Sequence, residues 1–230
     1  QKEQASQLSQ FFYLYELHNA MLIEEGIEPE TLEEFYPIAE IILNDFSQLD
    51  YELVSIEEIY MELFDTTIID IEFQHLTTEQ QEYIRQFWQS FSIAGHSAVQ
   101  ERFLKLWKRL PRLYKAFKDK LASLQQTNYP TLYRDIIDGN MEYPEFASPF
   151  KKILFVGFNA LNKVEAQLFK QWQDEDLALF YFDADDYYLS DNQQEAGLFI
   201  RRNILQTGLD NALGDVPNII GNRIYSQNKP

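Results

Sequence analysis

The sequence predicts an α/β protein in two parts: an all-helical bundle over residues 1–140, then a small parallel β–α–β–α unit over residues 141–230. Three observations predict it. Capping signatures recur in register with helical apolar periodicity through the first part. The character then changes after Tyr143-Pro144 and Ser148-Pro149, where strand-length apolar runs appear. Finally, those runs alternate with capped helical stretches over short connections, which implies parallel strands joined by right-handed crossovers.

The helical elements follow from caps and spacing. Phe11, Phe12, Leu14, Tyr15, Met21 and Leu22 fit an amphipathic helix ending near Gly26. Thr31 with Glu34, Ser55 with Glu58, and Thr77 with Gln80 each have the spacing of a capping box. In such a box hydroxyl and side-chain acceptor satisfy each other's orphan amides. Residues 102–126 form a long amphipathic stretch interrupted by Pro111, where a kink or restart is expected because proline removes an amide donor. Tyr129-Pro130 reads as a break, followed by a short helix from about Leu132 to Ile137 that ends at Gly139.

In the second part, Lys152 to Phe158 is a run of buried-strand type, and Leu177 to Phe182 is another. Between them Asn162 and Glu165 start a helix carrying Val164, Leu168, Phe169 and Trp172. Ser190 or Asp191 is expected to cap a further helix through Leu205, and Pro217 to Tyr225 suits an added strand.

Composition narrows the function. The chain carries a formal charge of −18, which repels phosphate backbones and anionic membranes taken whole. It has no cysteine, which excludes a disulfide scaffold, a thiolate metal site and a cysteine nucleophile. No apolar run reaches the roughly 18 to 20 residues that span a bilayer. The polar start, Gln1 to Gln10, has no signal-peptide character. A cytoplasmic location and no membrane partner are expected. Both ends read as cut, so a piece of a longer polypeptide is expected.

Charge is unevenly spread. Arg102, Lys105, Lys108, Arg109, Arg112, Lys115, Lys118 and Lys120 lie within 19 residues, and the rest of the chain holds 11 basic against 36 acidic residues. On a helical wheel Lys105, Lys108, Arg112 and Lys115 lie opposite Phe103, Leu106, Trp107, Leu110, Tyr114, Phe117 and Leu121. Two readings stay open. The face either tracks phosphates through counterion release, or it is a solvated face paired with the chain's own carboxylates.

Few other residues carry chemistry. Asp183, Asp185 and Asp186 follow the second strand, where open α/β sheets place ligands. They suit either Mg²⁺ or an acidic turn. A small Mg²⁺-dependent phosphotransferase built on Asp183 and Asp185 lacks a nucleophile and a lysine motif. His18, His75 and His96 have no metal-ligand spacing and read as packing or surface residues. No phosphate-binding loop, nucleophile elbow or zinc-protease motif occurs.

Residues 151–165, from Lys151 through Gly157, Asn159 and Asn162 to Glu165, resemble a segment of the AddB-like family of Bacteroides-type bacteria. That family comprises inactivated superfamily 1 helicases fused to a PD-(D/E)XK nuclease. Leu132-Tyr133-Arg134-Asp135, Phe182 to Tyr188, Gln194 to Phe199, Ile42 to Phe46 and Leu49-Asp50 fit the same resemblance. In an active helicase of this kind the first strand ends in an Asp-Glu pair that holds Mg²⁺ and positions water. Here the stretch reads Val156, Gly157, Phe158, Asn159. At the next motif Asp183 lies within the matching stretch, and Asp186 stands where a Gln would sense the γ-phosphate.

The resemblance implies a catalytically inactive helicase-like segment of a DNA-repair helicase–nuclease, without catalytic residue, metal or cofactor of its own. Such a segment would scaffold a nuclease domain elsewhere. It would contact DNA through Lys105, Lys108, Arg109, Arg112 and Lys115, and its partners would be the rest of its parent chain and a partner helicase subunit. The alternative is an acidic protein–protein interaction module that binds no nucleic acid.

Overall fold

The structure, a computed structural model, describes residues 2–60, 76–92, 98–140, 149–182, 189–190 and 195–212. These form a mostly helical chain with small parallel two-stranded sheets, a mixed α/β fold. Two compact units divide it: Gln1–Phe46 with Val54–Thr127, and Ser47–Leu53 with Asn128–Pro230. The helix after Thr127 belongs to the second unit.

The first unit is built on heptad-like stripes. Helix α1 (Gln7–Glu24) starts at Ser6, whose hydroxyl accepts the Ser9 amide, and ends before Gly26, which takes a left-handed φ of 71°. It buries Phe11, Leu14, His18, Met21 and Leu22. Helix α2 (Leu32–Tyr51) follows a Thr31–Glu34 box and buries Phe35, Ala39, Ile42, Phe46 and Leu49. Next come α3 (Ile56–Ile59) and α4 (Thr78–Ser92), the latter opened by reciprocal Thr77–Gln80 bonds. Ser55 departs from expectation: its hydroxyl donates to Glu57 and makes no capping bond, on a helix only one turn long.

Helix α5 (Ala98–Ser123) runs unbroken through Pro111. The expected restart does not occur. Proline in a helix interior costs about 3 kcal/mol. Leu110, Leu113, Phe117 and Leu121 are all buried on one stripe around it. At roughly 1.5–3 kcal/mol per buried side chain, that stripe outweighs the lost hydrogen bond. A feature invisible in the sequence closes the unit: β1 (Glu3–Gln4) pairs in parallel with β2 (Gln126–Thr127), and the Ala5 amide donates to the Thr127 carbonyl at 2.8 Å.

In the second unit α6 (Tyr129–Ile137) begins at Asn128, whose side chain accepts the Thr131 amide, so Tyr129-Pro130 opens this helix and does not break the pattern. Strands β3 (Ile153–Val156) and β4 (Ala178–Tyr181) pair in parallel in the register Ile153↔Ala178 to Val156↔Tyr181. They flank α7 (Lys163–Asp174), which has a complete Asn162–Glu165 capping box. Phe169 and Trp172 of α7 pack with Phe180, Phe182 and Leu209, and Phe155 stacks on Phe180 with ring centroids 5.1 Å apart.

A 3-10 turn (Glu195–Gly197) leads into α8 (Leu198–Leu205). That helix starts at Gly197 without a side-chain cap, and Asp191, the other residue expected to cap a helix here with Ser190, lies outside the described residues. On the other side of β4, Asn211 bridges to Phe180 in parallel, and its side-chain amide both accepts from and donates to the Phe182 backbone. The strand expected over Pro217 to Tyr225 lies outside the described residues.

Candidate functional site

Three places bear on function: the carboxyl edge of the β3–β4 pair, the basic stretch of α5, and the polar cluster around Asp50. At the first, β3 ends at Val156, which is 69% exposed. Gly157 follows at φ +74°, its amide donating to the Tyr181 carbonyl at 3.2 Å. A Cβ there would meet no atom within 4 Å, so the demand for glycine is conformational, not steric. Asn159 is exposed, and its backbone carbonyl accepts the buried Asn203 side-chain amide at 2.7 Å. None of Val156, Gly157 and Asn159 offers a carboxylate to metal or water. Asp183, Asp185 and Asp186 lie outside the described residues. No group of three or more His, Asp or Glu able to hold a metal occurs among the described residues.

The basic stretch is one half of an antiparallel ion ladder. Lys120 faces Glu16 at 3.4 Å, Arg112 pairs with Glu24, Arg109 with Glu25 at 2.9 Å, and Arg102 with Glu30 at 2.7 Å. Acids ascending through α1 and the loop after it thus meet cations descending α5. Lys115 completes the set on Glu57, whose carboxyl is held down to about 2, chiefly by the Lys115 hydrogen bond. Lys118 lies 5.3 Å from the centroid of the Tyr114 ring.

Of the residues expected to face phosphates, Lys105, Lys108, Arg112 and Lys115 have exposed side chains. Arg109 does not. It is 9% exposed, and its Nε lies 2.9 Å from both Glu25 carboxylate oxygens. The reason is its position four residues before Leu113 and eight before Phe117, which puts it on the buried stripe.

Beside the ladder sits His18, 2% exposed and stacked on Phe35 at 4.4 Å between ring centroids. Neither ring nitrogen has a hydrogen-bond partner among the described residues, although Glu30 Oε2 stands 3.4 Å from Nε2. Burial dominates the imidazole's titration and pushes its pKa down, partly opposed by attraction to Glu30. The residue is a packing histidine, as its isolation from other ligand-type residues suggested.

The third place joins patches that are far apart in sequence. Asp50, 2% exposed, accepts the Thr131 hydroxyl at 3.0 Å and stands 3.6 Å from Arg134, which also donates to the Leu49 carbonyl at 3.2 Å. Leu49-Asp50 and the Leu132 to Asp135 stretch therefore meet in the second unit. The buried carboxylate is satisfied on several sides, an arrangement that fixes structure. Only pairing across 81 residues reveals it.

Comparisons with protein-family models, with curated proteins and with solved structures return no match for this chain.

Proposed function

We propose that this chain is a catalytically inactive, helicase-like scaffold segment of a DNA-repair helicase–nuclease. One observation carries the reading: a parallel β–α–β unit whose first strand is followed by Gly157 and Asn159, where nucleotide hydrolysis needs acids. Magnesium-dependent hydrolysis requires carboxylate oxygens to hold the ion and orient water. A left-handed glycine and an asparagine tied through its carbonyl supply neither. Scaffolding also accords with the outer face of β3, where Leu154 and Val156 are 57% and 69% exposed. Parallel sheets ordinarily have both faces covered, so a further body against this face is consistent with a structural role.

The test is nucleoside-triphosphate turnover by the chain with Mg²⁺ and single-stranded DNA. No turnover above the protein-free rate is expected, and clear turnover sinks the reading.

A second reading, an acidic protein-interaction module without nucleic-acid contact, is favoured by one feature. Five cations of α5, Arg102, Arg109, Arg112, Lys115 and Lys120, are already engaged by the chain's own carboxylates at Glu30, Glu25, Glu24, Glu57 and Glu16. Titration of single-stranded DNA at rising salt separates the two. Affinity that falls steeply with salt, with a slope flattened by changing Lys105, Arg112 and Lys115 to Ala, supports a DNA-contacting scaffold. Absence of binding at low salt supports the interaction module.

A further inference from the structure

Helices α7 and α8 border an open cleft of about 660 Å³, within the size range of small-molecule sites. Its wall carries Lys163, Gln167 and Lys170 from α7, and Arg202, Gln206 and Thr207 from α8 and the residue pair after it. Lys163, Gln167 and Lys170 are spaced i, i+4, i+7 and so share one helix face. The acids Asp174 and Glu175 also line it, by the carboxyl end of α7. Both are occupied, Asp174 by Lys170 and Glu175 by the Gln171 amide at 3.0 Å.

Lys163 and Arg202 are different. Both are exposed, and neither side chain has a hydrogen bond or ion pair to any described residue. In a chain of net charge −18, where most described cations hold a partner, two unneutralised ones converge on one cleft. The wall behind them is fixed. The α7 amides are closed by the Asn162–Glu165 box, and Asn203, next to Arg202, is buried and bonded to the Asn159 carbonyl.

We infer that the α7–α8 cleft is a binding site for a small phosphate-bearing anion, gripped by Arg202 and Lys163 with the Gln167 and Gln206 amides and the Thr207 hydroxyl beside them. A guanidinium presents a planar fork suited to two phosphate oxygens, and a lysine adds a mobile point charge. The amides supply donors and acceptors for the rest of the molecule. This inference stands apart from the helicase-like reading and needs no part of it.

The probe is inorganic pyrophosphate, titrated at low salt into the whole chain and followed by amide chemical shifts. Shifts confined to residues lining the cleft are expected, and the paired substitutions Lys163→Ala and Arg202→Ala should weaken binding by about tenfold or more. Lys151→Ala removes an exposed cation outside the cleft that likewise lacks a partner among the described residues, and it should leave affinity unchanged. A matched titration with sodium sulfate should bind more weakly. The inference is overturned if pyrophosphate shifts nothing in the cleft, if Lys151→Ala weakens binding as much as the cleft variants, or if sulfate binds equally well. Unchanged melting temperatures for all three variants keep loss of fold separate from loss of binding.

Discussion

The cations of α5 and those of the α7–α8 cleft have the same chemistry and opposite circumstances. On α5, Arg102, Arg109, Arg112, Lys115 and Lys120 each meet a glutamate, four of them in register along α1 and the loop that follows. In the cleft, Lys163 and Arg202 meet no carboxylate among the described residues. Density of positive charge along a sequence therefore says little about availability for a ligand. The densest basic stretch of this chain is largely internal wiring, and a sparse pair elsewhere is open.

That contrast has measurable consequences. The largest should come from Glu25→Ala, which strips Arg109 of its partner while the guanidinium stays 9% exposed. Orphaning a buried charged donor costs about 2–3 kcal/mol, moderated here because the Glu25 side chain is 38% exposed. A urea midpoint reads it directly. A loss below about 0.5 kcal/mol would put Arg109 with the solvent-screened pairs and erase the distinction.

Next in size is the pH response at His18. Its folded pKa lies below the ordinary 6.5, so the unfolded chain binds more protons between the two values. Stability from this group is fully present above pH 6.5 and is lost as pH falls towards the folded value, by at most about 1.4 kcal/mol per pH unit. His18→Phe, which retains a ring against Phe35, should flatten the slope of stability between pH 7.5 and 5.5 (about one proton's worth). An unchanged slope would show that His18 does not set the acid response.

The smallest effects should be those of Arg112→Ala, an exposed pair, and of Lys163→Ala and Arg202→Ala. Each should shift folding stability by no more than about 0.5 kcal/mol. A large loss for a cleft variant would show that its charge is structural after all.

Much of the fold was legible because it rests on local signals. The Thr31–Glu34, Thr77–Gln80 and Asn162–Glu165 pairs close as their spacing predicts, and the β3–α7–β4 crossover follows from run length and cap position. The misses share a non-local cause. Two-residue strands such as Glu3–Gln4 carry no period, and their partner lies more than a hundred positions away. Continuity through Pro111 depends on what α5 packs against, and so does the burial of Arg109, which shares its stripe with Leu113 and Phe117. The ladder did leave a trace: Glu16, Glu24, Glu25 and Glu30 mirror, in reverse order, Lys120, Arg112, Arg109 and Arg102. The cleft left none, since Lys163 and Arg202 come to line one cavity only in the folded unit.

The left-handed backbone at Gly157 disfavours an acidic side chain. Placing an aspartate there meets no crowding, yet it forces an L-residue into a left-handed conformation at a cost of about 1 kcal/mol or more. A glutamate fares worse, lacking the short side chain that lets aspartate settle in such a turn. An acid at this edge therefore calls for a remodelled loop as well as a changed residue, so the turn itself restricts which side chain sits there.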